Sequence, residues 1–121
     1  MTDSRPREQL VSLASIRSFG RRIGTEFGAE RVILFGSRAD GTAMPDSDVD
    51  LLIVLPHRGD RIEQSVAIRL KLRPPFPVDL IIRSPEEIQN RLAMGDTFIR
   101  DILQGGKVIY DAADPVVRTG K

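Results

Sequence analysis

Six of the seven residues from Val49 to Leu55 are apolar, and the exception, Asp50, stands second in the run. Successive strand side chains point to opposite sides of a sheet, so beyond Asp50 this strand is apolar on both faces. Such a strand is stable only where each face is covered, which makes it a central strand. Pro56 and Gly59 end the run. The remaining elements must therefore supply neighbours on both edges and cover on both faces.

The rest of the chain reads in those terms. From about Pro6 to Phe27, Leu10, Leu13, Ile16, Phe19, Ile23 and Phe27 recur at helical spacing, with Gly28 as the stop. RVILF (31–35) is a short strand ended by Gly36. Residues 61–72 place Ile62, Val66 and Leu70 at i, i+4, i+8, which predicts an amphipathic helix with that stripe in the core. PVDLIIR (77–83) is a third strand, and SPEE (84–87) is a capping box opening a helix with Ile88 and Leu92 inward. Phe98, Ile99, Ile102 and Leu103 mark another helix, ended by Gly105 and Gly106, and KVIY (107–110) is a last strand. The order α-β-β-α-β-α-α-β predicts an α/β (α+β) sandwich around a small mixed sheet.

The 121 residues, 40% of them hydrophobic, suit a single domain over 1–121, with a flexible tail at about 115–121. With 18 basic and 17 acidic residues, the net charge of +1 provides no field for nucleic acid. Arg5, Arg7, Arg17, Arg21 and Arg22 read as a solvated helix face. There is no cysteine, so disulfides and thiolate metal sites are excluded. No apolar run approaches the ~20 residues of a membrane span, and a soluble cytoplasmic protein is expected.

Against this balanced background the acids of GSRADGTAMPDSDVD (36–50) are concentrated. Asp48 and Asp50 are two apart on an extended chain, project together, and lie roughly 7 Å apart at Cα. Unpaired carboxylates against a core repel each other and lose hydration, and a divalent cation with hard oxygen ligands, Mg²⁺, relieves both. Asp79 interrupts the third strand near its start, as Asp50 does the second. If those strands are parallel, joined by a right-handed helical crossover, Asp79 comes level with the pair. If the first strand runs antiparallel to the second, the Gly36-Ser37 turn arrives at the same end. Glycine there lets backbone approach a ligand, Ser37-Arg38-Ala39 can open a helical turn with N–H groups aimed at an anion, and Arg38 can neutralise charge. An anion cradle with carboxylate-held Mg²⁺ is how a nucleoside triphosphate is gripped.

Other readings of the same residues fail. As an EF-hand, D-S-D-V-D would put Leu51 where glycine belongs and His57 where glutamate belongs. As a P-loop, Gly36 to Gly41 is followed by Thr42-Ala43 instead of Lys-Ser/Thr. Aspartyl-phosphate phosphatases carry D-x-D after the apolar strand, and here the acids precede it. Asp46 and Ser47 are expected to cap a turn, His57 to lie at the surface, and Tyr110 to serve packing.

Gly36-Ser37-Arg38, then Ser47-Asp48-Val49-Asp50-Leu51, then Pro77-Val78-Asp79-Leu80, resembles the minimal nucleotidyltransferases of the DNA polymerase β superfamily, the MntA-like antitoxins. The likeness runs from Arg31 to Asp111 and includes the ending FIRDILQGGKVIYD. It implies a polymerase β palm-like fold, with Asp48, Asp50 and Asp79 as catalytic residues and ligands for two Mg²⁺ ions. Gly36 and Ser37 would hold the phosphates of ATP, and Arg38 and Ser47 are further nucleotide-binding candidates. Members often read GSRARG, so Asp40 replaces an arginine and removes one phosphate contact. Short members are antitoxins paired with a HEPN-domain toxin, and some transfer AMP from ATP to a tyrosine of that toxin. The leading expectation is therefore an adenylyltransferase in a hetero-oligomer with such a toxin. Neutralisation by occlusion alone, or a small hydroxylated acceptor, are the alternatives.

Overall fold

The computed structural model describes residues 11–56 and 60–114. The expectations for Arg5, Arg7 and Leu10, for His57 at the surface and for a flexible tail at about 115–121 fall outside the described residues, whereas the leading helix, expected from about Pro6, begins only at Leu13, because Ser12 caps it in an extended conformation.

Helix α1, Leu13–Phe27, starts at Ser12, whose Oγ accepts from the Ser15 amide at 3.0 Å, and stops at Gly28 in the left-handed conformation. It buries Ile16, Phe19 and Ile23. Its inner glycines have a packing reason, because a Cβ at Gly24 would run into the ring of Tyr110. Tyr110 is itself buried, as expected of a packing residue. Leu13 is exposed and Phe27 half-buried, so the inward stripe is shorter than the periodicity predicts.

The strands are β1 (Arg31–Phe35), β2 (Val49–Val54), β3 (Val78–Arg83) and β4 (Lys107–Asp111), in spatial order β3-β2-β1-β4. β1 is antiparallel to β2 and to β4, whereas β2 and β3 are parallel. The sheet is mixed, and β2 is an inner strand whose residues from Leu51 to Val54 are all buried. Leu51 and Ile53 join Ile16, Phe19 and Ile23 of α1 on one face. Leu52 and Val54 join Ile88, Ile99 and Ile102 on the other. A helical layer thus covers each face, which is what a two-sided apolar strand requires.

Helix α2, Ser37–Asp40, is a single turn after Gly36. Helix α3, Arg61–Leu72, links β2 to β3 and begins at Asp60, whose carboxylate accepts from the Ile62 amide at 2.7 Å. Here the expected inner face is wrong. Ile62, Val66 and Leu70 are 73%, 47% and 66% exposed, and Ile68 and Leu72 are buried instead. At about 100° per residue, Val66 and Ile68 point to nearly opposite sides, so α3 has two apolar rows and the β2–β3 crossover selects one.

Helix α4, Pro85–Ala93, has the predicted capping box, Ser84 and Glu87 each accepting from the other's amide, at 3.1 and 2.8 Å. Helix α5, Thr97–Gly105, is capped by Asp96, which accepts from the Phe98 and Ile99 amides. Ile88, Ile99 and Ile102 are buried, but Leu92 in the last turn of α4 and Phe98 in the first of α5 are exposed. Periodicity identifies a stripe, but not where along a helix the sheet beneath it ends. Among the described residues no helix is long and apolar enough to cross a membrane.

Candidate active site

Register determines where the acids meet. In the parallel β2–β3 ladder Asp50 stands directly beside Asp79, and in the antiparallel β1–β2 ladder Phe35 stands beside Asp50. Adjacent strands run about 4.8 Å apart, so the Asp50 and Asp79 backbones are neighbours. Directly paired residues project to the same side, which puts Phe35, Asp50 and Asp79 in one row across the sheet. Asp48 precedes β2 by one residue and is exposed, as is Asp79, whereas Asp50 is half-buried between them.

This row lies on the α4–α5 side of the sheet, since Asp50 alternates with Leu51 and shares its side with Leu52 and Val54. The helical layer covers Leu52 and Val54 but leaves Asp79 and Asp48 to solvent. Burial, then the nearby charge of Asp79, then that of Asp48, raises the Asp50 pKa above the ordinary carboxylate value.

The turn after β1 arrives at the same end. Gly36 has φ 77° and ψ −158°, a conformation that side chains other than hydrogen rarely adopt. A Cβ there would also overlap the Asp50 carboxylate, so the space in front of that carboxylate depends on glycine. Ser37 follows as the first residue of α2. Gly36, Asp50 and Asp79 come together as both strand-direction conditions required, with Ser37 next to Gly36 in the chain.

Arg38 and Ser47 are engaged inside the loop. The Arg38 guanidinium donates to the Ser47 carbonyl at 2.9 and 3.3 Å and to the Pro45 carbonyl at 3.1 Å. The Ser47 hydroxyl accepts from the Met44 amide at 2.8 Å, the turn cap expected of it. Both therefore brace the segment that delivers Asp48. Asp40 closes its own small turn, accepting from the Thr42 amide and hydroxyl, which together hold its pKa down.

Among the described residues no three acidic or histidine side chains already converge as a coordination sphere. The donor set nevertheless suits Mg²⁺: carboxylates only, one of them with its charge disfavoured by burial and by its neighbours, and no side chain at Gly36 to crowd the Asp50 carboxylate. Two features beside the row escaped the sequence reading. Phe98 meets Phe35 edge-on, with centroids 5.7 Å apart, and forms an aromatic wall next to the carboxylates. On the other flank, Asp79 borders a groove between α3 and β3. An aromatic residue in the first turn of a helix, Phe98 two residues after Asp96, was the only sequence signal for the first of these.

Comparison with known proteins agrees with this geometry. A family model described as "Nucleotidyltransferase domain" matches residues 16–109. A Methanocaldococcus jannaschii protein named "Putative protein adenylyltransferase" is 35% identical over 86 residues, covering 66% of this chain and 57% of that protein. This chain thus spans little more than half the length of that relative. Among solved structures, "a putative nucleotidyltransferase from Sulfolobus solfataricus" superposes with a TM-score of 0.59 at 19% identity, covering 94% of this chain and 93% of the other. A crystal structure described as "the toxin-antitoxin with AMP-PNP" superposes with a TM-score of 0.55 at 19% identity, covering 86% and 82%. At that identity these two establish the fold alone. The family match spans most of the chain, including Gly36, Ser37, Asp48, Asp50 and Asp79, and the chain belongs to the nucleotidyltransferase domain family.

Proposed function

We propose that this chain transfers AMP from ATP to a tyrosine hydroxyl of a HEPN-domain toxin, in a Mg²⁺-dependent cytoplasmic reaction that neutralises the toxin. The observation that carries this reading is the register pairing of Asp50 with Asp79, next to Asp48 and the Gly36 turn. The adenylyltransferase name of the relative, and a toxin–antitoxin neighbour crystallised with AMP-PNP, support the choice of donor and acceptor.

In this reading Gly36 and Ser37 grip the triphosphate through backbone N–H groups and the Ser37 hydroxyl. Arg38 and Ser47 act through the loop, by keeping Asp48 at the mouth of the site. Asp48, Asp50 and Asp79 would hold the metal, two ions in the full complement, which supply charge neutralisation on the triphosphate and acidify the acceptor hydroxyl. Asp79, exposed on the edge strand, faces the acceptor and orients its hydroxyl. The hydroxyl oxygen gives its proton to the Asp79 carboxylate and forms a bond to the α-phosphorus, while the bond from that phosphorus to the β-phosphate bridging oxygen breaks. AMP stays on the acceptor and pyrophosphate leaves in line.

Incubation with α-labelled ATP, Mg²⁺ and the toxin should label the toxin, and chelation with EDTA should stop labelling. Equal labelling by wild type and by the Asp48→Asn/Asp50→Asn variant would refute the site. A folded Asp48→Asn/Asp50→Asn variant that still rescues cells from the toxin would identify occlusion as the means of neutralisation.

A further inference from the structure

The outward apolar row of α3 has no function in the fold. Ile62, Val66 and Leu70 stand four residues apart, forming a ridge about 12 Å long over eight residues. Three large aliphatic side chains in line, each about half or more exposed, make the kind of surface that marks a binding site. Ile62 and Val66 of the ridge form one wall of a groove whose other wall is β3, with Leu80 and Ile82, and Leu70 extends the exposed ridge by one further turn. β3 is an edge strand of the sheet, so among the described residues this side of the sheet is not closed by another strand. The groove is bordered by Asp79 of the carboxylate row.

Its charged border is basic. Arg61, Arg69 and Arg83 line it, and Asp79 is the one acid among the lining residues. Arg61 shares Glu87, but among the described residues neither Arg69 nor Arg83 is in an ion pair with a carboxylate. Arg83 is half-buried, and burial together with the charges of Arg61 and Arg91 lowers its pKa, so an added carboxylate would relieve it.

We propose that this groove docks the acceptor protein, through a segment that sets apolar side chains on Ile62, Val66 and Leu70 and carboxylates on Arg61, Arg69 and Arg83. The occupant follows from charge and from position. A second copy of this chain in a two-fold contact would set arginine against arginine. A nucleic acid would leave the aliphatic ridge unmatched. An acidic amphipathic helix satisfies both the ridge and its border. Its hydroxyl-bearing neighbour would then be delivered to Asp79 at the border of the groove. The inference rests on the transferase reading and adds where the acceptor is held.

The test uses the full chain and, as probe, the purified protein encoded by the neighbouring reading frame. Ile62→Asp/Leu70→Asp alters exposed positions and Arg69→Glu a half-buried one, and Met94→Asp, as exposed as Ile62 but on the α4 side, is the control. Binding by the double variant should weaken at least about tenfold, with KM for the protein acceptor rising in parallel and kcat held. Met94→Asp and Asp48→Asn should bind like wild type, and the melting shift with Mg-ATP should be the same in the groove variants as in wild type. Binding by the groove variants within about twofold of wild type would overturn the proposal. So would no complex with wild type, or a wild-type dimer in light scattering that the groove variants dissolve. A complex lost in the groove variants, with no AMP transfer by wild type, would remove the transferase reading and leave the docking surface standing. Transfer that persists with unaltered binding in the groove variants would do the reverse.

Discussion

The parallel pair β2 and β3 has two halves with opposite consequences. At the start, Asp50 sits beside Asp79, half-buried and exposed respectively. Two residues on, on the same side of the same ladder, Leu52 sits beside Ile81 beneath α4 and α5. Backbone, hydrogen bonding and direction are shared, and only the cover differs. Where the helices reach, a side chain contributes by leaving water. Where they stop, the sheet can hold charge, and a row of carboxylates persists that the covered half would not tolerate.

That contrast breaks most clearly at Asp50. Asp50→Asn should lower transfer activity by about 10³-fold or more without lowering the melting temperature at neutral pH. A variant that is inactive because it is unfolded, seen by circular dichroism, would mean the acid end is structural after all. The covered half should behave inversely. Leu52→Ala removes a fully buried side chain and should cost about 3 kcal/mol in urea unfolding, with activity retained per folded molecule.

Gly36 stands at the acid end, against Asp50. Gly36→Ala forces a side chain into a left-handed conformation and against Asp50, so about 1–3 kcal/mol of stability should be lost. Weaker Mg-ATP binding in calorimetry should accompany it, and unchanged binding would show the turn to be remote from the phosphates.

A pH series sharpens the electrostatic side. Because the folded protein raises the Asp50 pKa, between the ordinary and the raised value the native state binds more protons than the unfolded chain. Stability therefore falls as pH climbs through that window. Without Mg²⁺, the advantage of Asp50→Asn over wild type in urea unfolding should be smallest below the ordinary carboxylate value and largest above the raised one. A difference independent of pH would exclude the charge as its cause. The smallest effect belongs to the brace. Ser47→Ala removes the acceptor of the Met44 amide and should cost about 1 kcal/mol or less.

Much of this was legible before any coordinates. The two-sided apolar run 49–55, the capping box at Ser84, the stop at Gly28 and the strand aspartates are local patterns, and each corresponds to an observed feature. Asp79 was legible because a charge inside an apolar strand has few explanations. Arg38 was less so, since a guanidinium reaches either a phosphate or a carbonyl, and only the path of the 42–48 loop puts the Ser47 and Pro45 carbonyls within its reach. The exposed Ile62, Val66 and Leu70 were misread because an amphipathic row states that one side of a helix is apolar, not that the sheet lies under it.

The sequence by itself determined the elements, the inner position of β2, and the residue types able to hold a nucleotide and a cation, because these depend on periods of 2 and 3.6 residues and on local caps. Only the tertiary structure decided the parallel register that sets Asp50 against Asp79. It also decided which row of α3 faces inward, and that Ile62 and Val66 of the outward row line a groove bordered by Asp79. Those are relations between segments far apart in the chain, and they are fixed by which surfaces bury together rather than by any segment's own pattern.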